Sequence, residues 1–179
     1  WRDQINGARL LPRTVTSPDV SAVEELALDL HAAGCVRLGE FKLHSGEVSP
    51  VYVDLRLLVS SPALLQRVAR AFAVLLRGLD YDRLAAIPYA ALPIGTAVSL
   101  ETGRPLVYPR KEAKSYGTRR SIEGQFSPEE RAVVLDDVIT TGDSKVEAIA
   151  PLQEAGLRVH DVVVLVDREQ GGAERLAEL

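Results

Sequence analysis

The chain has 179 residues, 46% of them hydrophobic, with 21 basic against 25 acidic side chains and a net charge of −4. That is one domain of ordinary size with ample material for a core, and its charge balance excludes a global nucleic-acid or membrane surface, so any basic site must be local. A single cysteine, Cys35, excludes an internal disulfide, no Cys/His cluster offers a zinc site, and no run of about 18 apolar residues offers a membrane span.

The amino-terminal WRDQINGARLLPRTV lacks the apolar core of a secretory signal, so the expected location is cytoplasmic. Neither Trp1 nor Leu179 is read as a native boundary. Residues 1–16 carry mixed charge without a sustained period and are expected to form an arm, with one domain over 17–179. Ser17-Pro18 and the Ser21-x-x-Glu24 capping box predict a helix with Val23, Leu26, Ala27 and Leu30 on its apolar face, closed by Gly34. Val36 to Leu43 and Val51 to Leu55 predict two short strands around Ser45-Gly46-Glu47. A second helix is expected from Ser61-Pro62 to Gly78, with Leu65, Val68, Phe72 and Leu75 on one face.

Leu84 to Ile87 reads as a short buried strand. The turn Pro88-Tyr89-Ala90-Ala91-Leu92-Pro93 then leads into a helix ending near Gly103, and Pro105 to Tyr108 is a further strand. A strand over 132–135, a helix from about Ser144 to Ala155 and a strand over Val162 to Val166 complete a β-α alternation. The alternation predicts an α/β fold, a doubly wound, mainly parallel sheet flanked by helices with right-handed crossovers.

Between the strands at 105–108 and 131–135 lie 22 residues, Pro109 to Glu130, beyond the roughly 12–15 at which structureless loops become uncommon unless functional or disordered. Arg110, Lys111, Lys114, Arg119 and Arg120 against Glu112 give the first half of this loop a balance of +4 in a chain that is −4 overall. A polyanion is the natural partner. A solvated, mobile loop is the competing account of the same cluster.

The string VVLDDVITTGDSK is the most informative. An apolar strand carries Asp136 and Asp137 to its carboxyl end, where open α/β sheets bind ligands, and the turn Thr140 to Ser144 opens a helix whose amino-terminus favours an anion. Carboxylates accept hydrogen bonds from sugar hydroxyls while the turn holds a phosphate, so the pair suits a sugar phosphate. For a bare Asp-Asp after a strand an ordinary strand-to-helix loop is the favoured reading, but the full string resembles the phosphoribosyl-diphosphate (PRPP) motif of type I phosphoribosyltransferases. RKEAKSYG resembles the catalytic loop of orotate phosphoribosyltransferases. FKLHSGEVSPVYVDLR, PYAALP and DREQGG resemble that family's base-covering segment, the turn beside the sugar diphosphate, and the pattern after the last strand. The resemblance runs roughly from Val36 to Gly172 and is especially close to the orotate phosphoribosyltransferase half of UMP synthase from animals.

The resemblance implies a type I phosphoribosyltransferase fold with a small amino-terminal hood formed mainly by residues 17–56, and a reaction between PRPP and orotate supported by Mg2+ held mainly through PRPP. It assigns catalysis to Lys114, Asp136 and Asp137. It assigns PRPP contacts to Arg110, Lys111, Lys114, Tyr116, Asp136, Asp137, Val138, Ile139, Thr140, Thr141, Gly142, Asp143 and Ser144. Orotate falls to Thr140, Arg168 and Tyr52, with His44 and Tyr89 as further ligand contacts. A homodimer sharing the Arg110–Arg120 loop between subunits is also implied, with no nucleic-acid or membrane partner. His44 stands where many bacterial relatives carry Lys, and a turn residue without a ligand role is the competing reading. For Arg168 the competitor is an ion pair with Asp167 or Glu169. The rivals for the whole chain are transfer to another base and a non-catalytic PRPP sensor.

Overall fold

A computed structural model describes residues 20–42, 46, 48–110 and 121–178. Helix α1 (Val20–Ala32) leads into a hairpin of β1 (Val36–Lys42) and β2 (Val48–Val53), which pair antiparallel as a two-stranded sheet of their own. A 3-10 turn over Leu55–Ser60 and helix α2 (Pro62–Leu76) lead to the main sheet. Its elements are β3 (Arg83–Ala86), α3 (Ala91–Thr102), β4 (Leu106–Pro109), β5 (Ile122–Glu123), β6 (Arg131–Ile139), α4 (Asp143–Glu154) and β7 (Arg158–Asp167), followed by α5 (Gly172–Ala177). The strands lie in the order β5-β4-β3-β6-β7, all parallel except β5.

Alternation along β6 shows why the central strands read as unbroken apolar runs. Val133 and Leu135 join a core with Phe72, Ile94 and Val98 of α2 and α3, whereas Ala132 and Val134 join a second core with Leu152 of α4. A sheet covered on both faces needs apolar residues at every position. Gly95 lets α3 lie close on this sheet: a Cβ there would stand 2.7 Å from the Cβ of Ala86.

The crossover through α3 moves from β3 outward to β4, and that through α4 moves from β6 outward to β7. The two helices sit on opposite faces, so both crossovers share one hand. Connections leaving in opposite directions open a crevice beyond the carboxyl ends of β3 and β6.

The structure corrects several expected boundaries. The acid pair does not follow a strand ending at Leu135; β6 continues through it, because β-branched Val138 and Ile139 still pair with Val166 and Asp167 of β7. The long segment after β4 is not structureless throughout, since Tyr108 and Pro109 recruit Glu123 and Ile122 as an antiparallel edge. Helix α1 is already running at Val20, so Ser21 lies within its first turn, and of the four expected apolar positions only Leu30 is buried while Val23 is exposed. On α2 the buried face is Leu64, Val68, Ala69, Phe72 and Leu76, rotated slightly from the expected one. Cys35 is fully buried, and burial raises its thiol pKa, as befits an inert core residue.

Candidate active site

The crevice between β3 and β6 is a cleft of about 650 Å3. Pro88, Tyr89 and Ala90 line one side, Asp136 and Asp137 the floor, Ser144 and Lys145 of α4 the other side, and Arg56 and Arg110 stand at its edge. The Pro88–Tyr89 peptide bond is cis, and Tyr89 is exposed at the rim.

Neighbouring residues of a strand point to opposite faces, and this separates the two acids. Asp136 shares the face of Val134 and reaches α4, where its carboxylate pairs with Lys145 Nζ. Both side chains are buried, at 5% and 8% exposure. The other Asp136 oxygen accepts the Asp137 backbone N–H at 2.9 Å, so both oxygens have partners within the protein. Asp137 is half-buried and caps the N–H of Val138 at 2.9 Å. Burial first, and the neighbouring Asp136 charge second, push its carboxyl up to about 6.

Beyond β6, residues Thr140 to Ser144 turn into α4, whose first backbone N–H groups have no partner within the helix. Gly142 caps this helix with φ 85°, a conformation only glycine adopts without strain. Thr141 Oγ1 donates to Asp143 Oδ2 at 3.1 Å, and Arg175 of α5 lies 3.6 Å from the same carboxylate. Thr141, Asp143 and Ser144 are exposed, Thr140 and Val138 half-buried, and the Ile139 side chain is core. Ile139 therefore offers a ligand only backbone. A Cβ on Gly172 would run into the Thr140 carbonyl oxygen and lie 2.5 Å from Ile139 Cγ1, so the second glycine of DREQGG is the surface on which the turn rests.

A second cavity, of about 600 Å3, lies between β2 and the end of β7 and is lined by Ser49, Val51, Val166 and Arg168 among others. Ile139 pairs with Asp167, so Thr140 and Arg168, each one residue further on, emerge side by side. Among the described residues no carboxylate lies within ion-pair distance of Arg168; Asp167 instead accepts the Glu169 N–H at 2.8 Å. The guanidinium donates to the hydroxyl of buried Ser49 at 3.1 Å. Tyr52 is not brought to Arg168: it alternates to the other face of β2 from Ser49, stacked on Phe41 at 5.4 Å with Arg37 at 4.8 Å from its ring.

Arg110 bonds Glu123 at 2.7 Å and its N–H meets the Ser121 carbonyl at 2.8 Å. Lys111, Lys114, Tyr116 and His44 lie outside the described residues. Three participants went unmarked in the sequence. Lys145 carries the clearest signal, a lysine seven residues, or about two helical turns, before buried Leu152 and thus on the core face of α4. Arg56, held by Asp54 at 2.6 and 2.8 Å, has a weaker one, and Ser49 had none.

No family model matches the chain. An orotate phosphoribosyltransferase of Methanosarcina mazei is 41% identical over 155 residues, 87% of this chain and 83% of the relative. The chain belongs to the orotate phosphoribosyltransferase family. Its fold matches Leishmania donovani UMP synthase with a TM-score of 0.81 and 48% identity over 89% of the chain, though it spans only 34% of that protein. The Mycobacterium tuberculosis orotate phosphoribosyltransferase solved in complex with PRPP matches at a TM-score of 0.67 and 29% identity, covering 86% of this chain and 87% of that one. The fold is the type I phosphoribosyltransferase fold of this family, and the crevice at its switch point is where the two acids and the first turn of α4 converge.

Among the described residues, no helix is long and apolar enough to cross a membrane.

Proposed function

We propose that this chain transfers ribose 5-phosphate from PRPP to N1 of orotate, giving orotidine 5'-monophosphate and diphosphate in pyrimidine biosynthesis. One observation carries the choice of base. Arg168 lines a cavity with no carboxylate partner among the described residues, and orotate is a base that brings a carboxylate. A guanidinium meets a carboxylate through two parallel, charge-assisted hydrogen bonds, and adenine and guanine bring no carboxylate.

Asp137, the less engaged of the two acids, accepts the ribose hydroxyls; Asp136, tied to Lys145, keeps the floor in place. The N–H groups and hydroxyls of the 140–144 turn hold the 5'-phosphate. Thr140 and Arg168 hold orotate so that its N1 faces the anomeric carbon, which passes through an oxocarbenium-like state. The β1–β2 hairpin serves as the hood over the base. Arg110, with Lys111, Lys114 and Tyr116 assigned by resemblance alone, faces the departing diphosphate, and the loop serves the neighbouring subunit of a homodimer.

The donor set suits Mg2+ held chiefly by PRPP. Asp137 is the carboxylate of the cleft that would hold the ion, because Asp136 is engaged by Lys145, and Arg56, Arg110 and Lys145 share the lining. When bound, it would offset negative charge on the leaving diphosphate.

The test is loss of free orotate, followed by absorbance, with PRPP and Mg2+ present and uracil and adenine run in parallel. Turnover of orotate alone, abolished in Lys114→Ala, is the expected result. Turnover of another base, or PRPP binding with no turnover of any, would overturn the assignment.

A further inference from the structure

The hydroxyl of Ser49 has an unusual position. It is the only buried residue of β2, at 5% exposure, and it lies 119 positions from the side chain it touches. Its hydroxyl donates to the Val51 carbonyl at 2.7 Å, which uses its one hydrogen. Its oxygen accepts the Val51 N–H at 3.2 Å and Arg168 Nη2 at 3.1 Å. A hydroxyl has one hydrogen and two lone pairs, so this set is complete. Nothing remains with which Ser49 could read a substrate, and its lone pair is spent on aiming the guanidinium.

The partner's chemistry matters as much as its place. A carboxylate in the position of Ser49 would neutralise Arg168 and compete with an anionic ligand. A neutral acceptor fixes the direction of the fork while leaving its charge available. The contact also joins the hairpin sheet to the end of β7 in the main sheet, so the orientation of Arg168 depends on the hairpin being seated.

We infer that Ser49 is a positioning residue for orotate: it pre-orients Arg168 for the carboxylate of the base and couples that orientation to docking of the β1–β2 hairpin. This rests on the reading of Arg168 as the orotate contact.

The experiment is steady-state kinetics of the full chain with orotate and PRPP varied separately, for Ser49→Ala, Ser49→Cys, Arg168→Ala and the Ser49→Ala/Arg168→Ala pair, each with its melting temperature. A thiol is slightly larger than the hydroxyl and leaves no void but accepts hydrogen bonds poorly, so Ser49→Cys repeats the test if the alanine variant folds badly. The expected result is a rise of about tenfold in KM for orotate in both Ser49 variants, the scale of one lost hydrogen bond to a charged group. KM for PRPP should change less than about twofold, and the double variant should be no worse than Arg168→Ala alone, as coupled residues require.

Equal losses for both substrates, or losses at Ser49 and Arg168 that multiply, would overturn the inference and leave Ser49 a packing residue. An unchanged orotate KM in Arg168→Ala would instead overturn the reading of the base site on which it stands.

Discussion

Strands β6 and β7 are neighbours in one sheet and carry opposite charge to the same rim, yet they hold it differently. At the end of β6, Asp136 is buried and met by an opposite charge, Lys145, while just past β7, Arg168 is met, among the side chains of the described residues, by a neutral hydroxyl. A charge compensated inside the free protein belongs to the framework, because breaking the pair leaves an ion stranded in low dielectric. A charge steadied by a neutral partner keeps its attraction for a ligand. The contrast separates a residue that shapes the site from one that reads what enters it.

The strongest way to break this comparison is Lys145→Met. It strands the Asp136 carboxylate at 5% exposure, and the expected loss is about 3–5 kcal/mol in denaturant unfolding. Adding Asp136→Asn should restore much of that stability, because no buried charge is then unpaired. A loss near zero for Lys145→Met would show that the pair is solvated and that the two rims do not differ.

Gly172→Ala tests whether the turn after β6 needs its support. The added methyl must displace the Thr140 carbonyl or the Ile139 side chain, so a loss of about 1–3 kcal/mol is expected, as for other overpacked sites. The KM for both PRPP and orotate should rise, since Thr140 and the turn it opens are what move. Equal stability and unchanged kinetics would mean that the turn yields freely.

The smallest effect is a pH dependence at Asp137. Its carboxyl is pushed up to about 6 in the folded protein against an ordinary 3.8, so between these values the folded state binds more protons than the unfolded one. Stability contributed by this group therefore falls as pH rises from about 4 to 6 and is flat above. Asp137→Asn should melt with wild type below pH 4 and about 2–4 °C higher above pH 6, while losing activity. A melting difference that does not vary with pH would show that the carboxyl titrates normally.

Much of this was legible from residue order. The run Ala132 to Leu135 marks a strand buried on both faces, and Gly142 with the Thr-Thr turn marks the start of a helix. The PRPP motif appears as one contiguous string because a strand, a turn and a helix amino-terminus are local structures. The division of labour between Asp136 and Asp137 was not legible, since it depends on which face of β6 meets α4. Ser49 was less visible still: its partner lies 119 residues away on another sheet, and serine in a hairpin is unremarkable until that distance closes. The misjudged face of α1 has a related cause, because apolar spacing cannot say how much of a helix finds a neighbour. Val20 and Leu28 remain exposed on α1 although they are as apolar as buried Leu30.

The resting of Gly142 and Thr140 on Gly172 also orders events in time. A domain folds as a unit, so its site is complete only once its last bracing segment has left the ribosome. The strand bearing both acids emerges more than thirty residues before the glycine that braces the turn beside them. A nascent chain halted between the two has both acids but lacks the residue on which the turn beside them rests, so the proposed phosphate cradle is completed late in synthesis, when the short segment after β7 folds back.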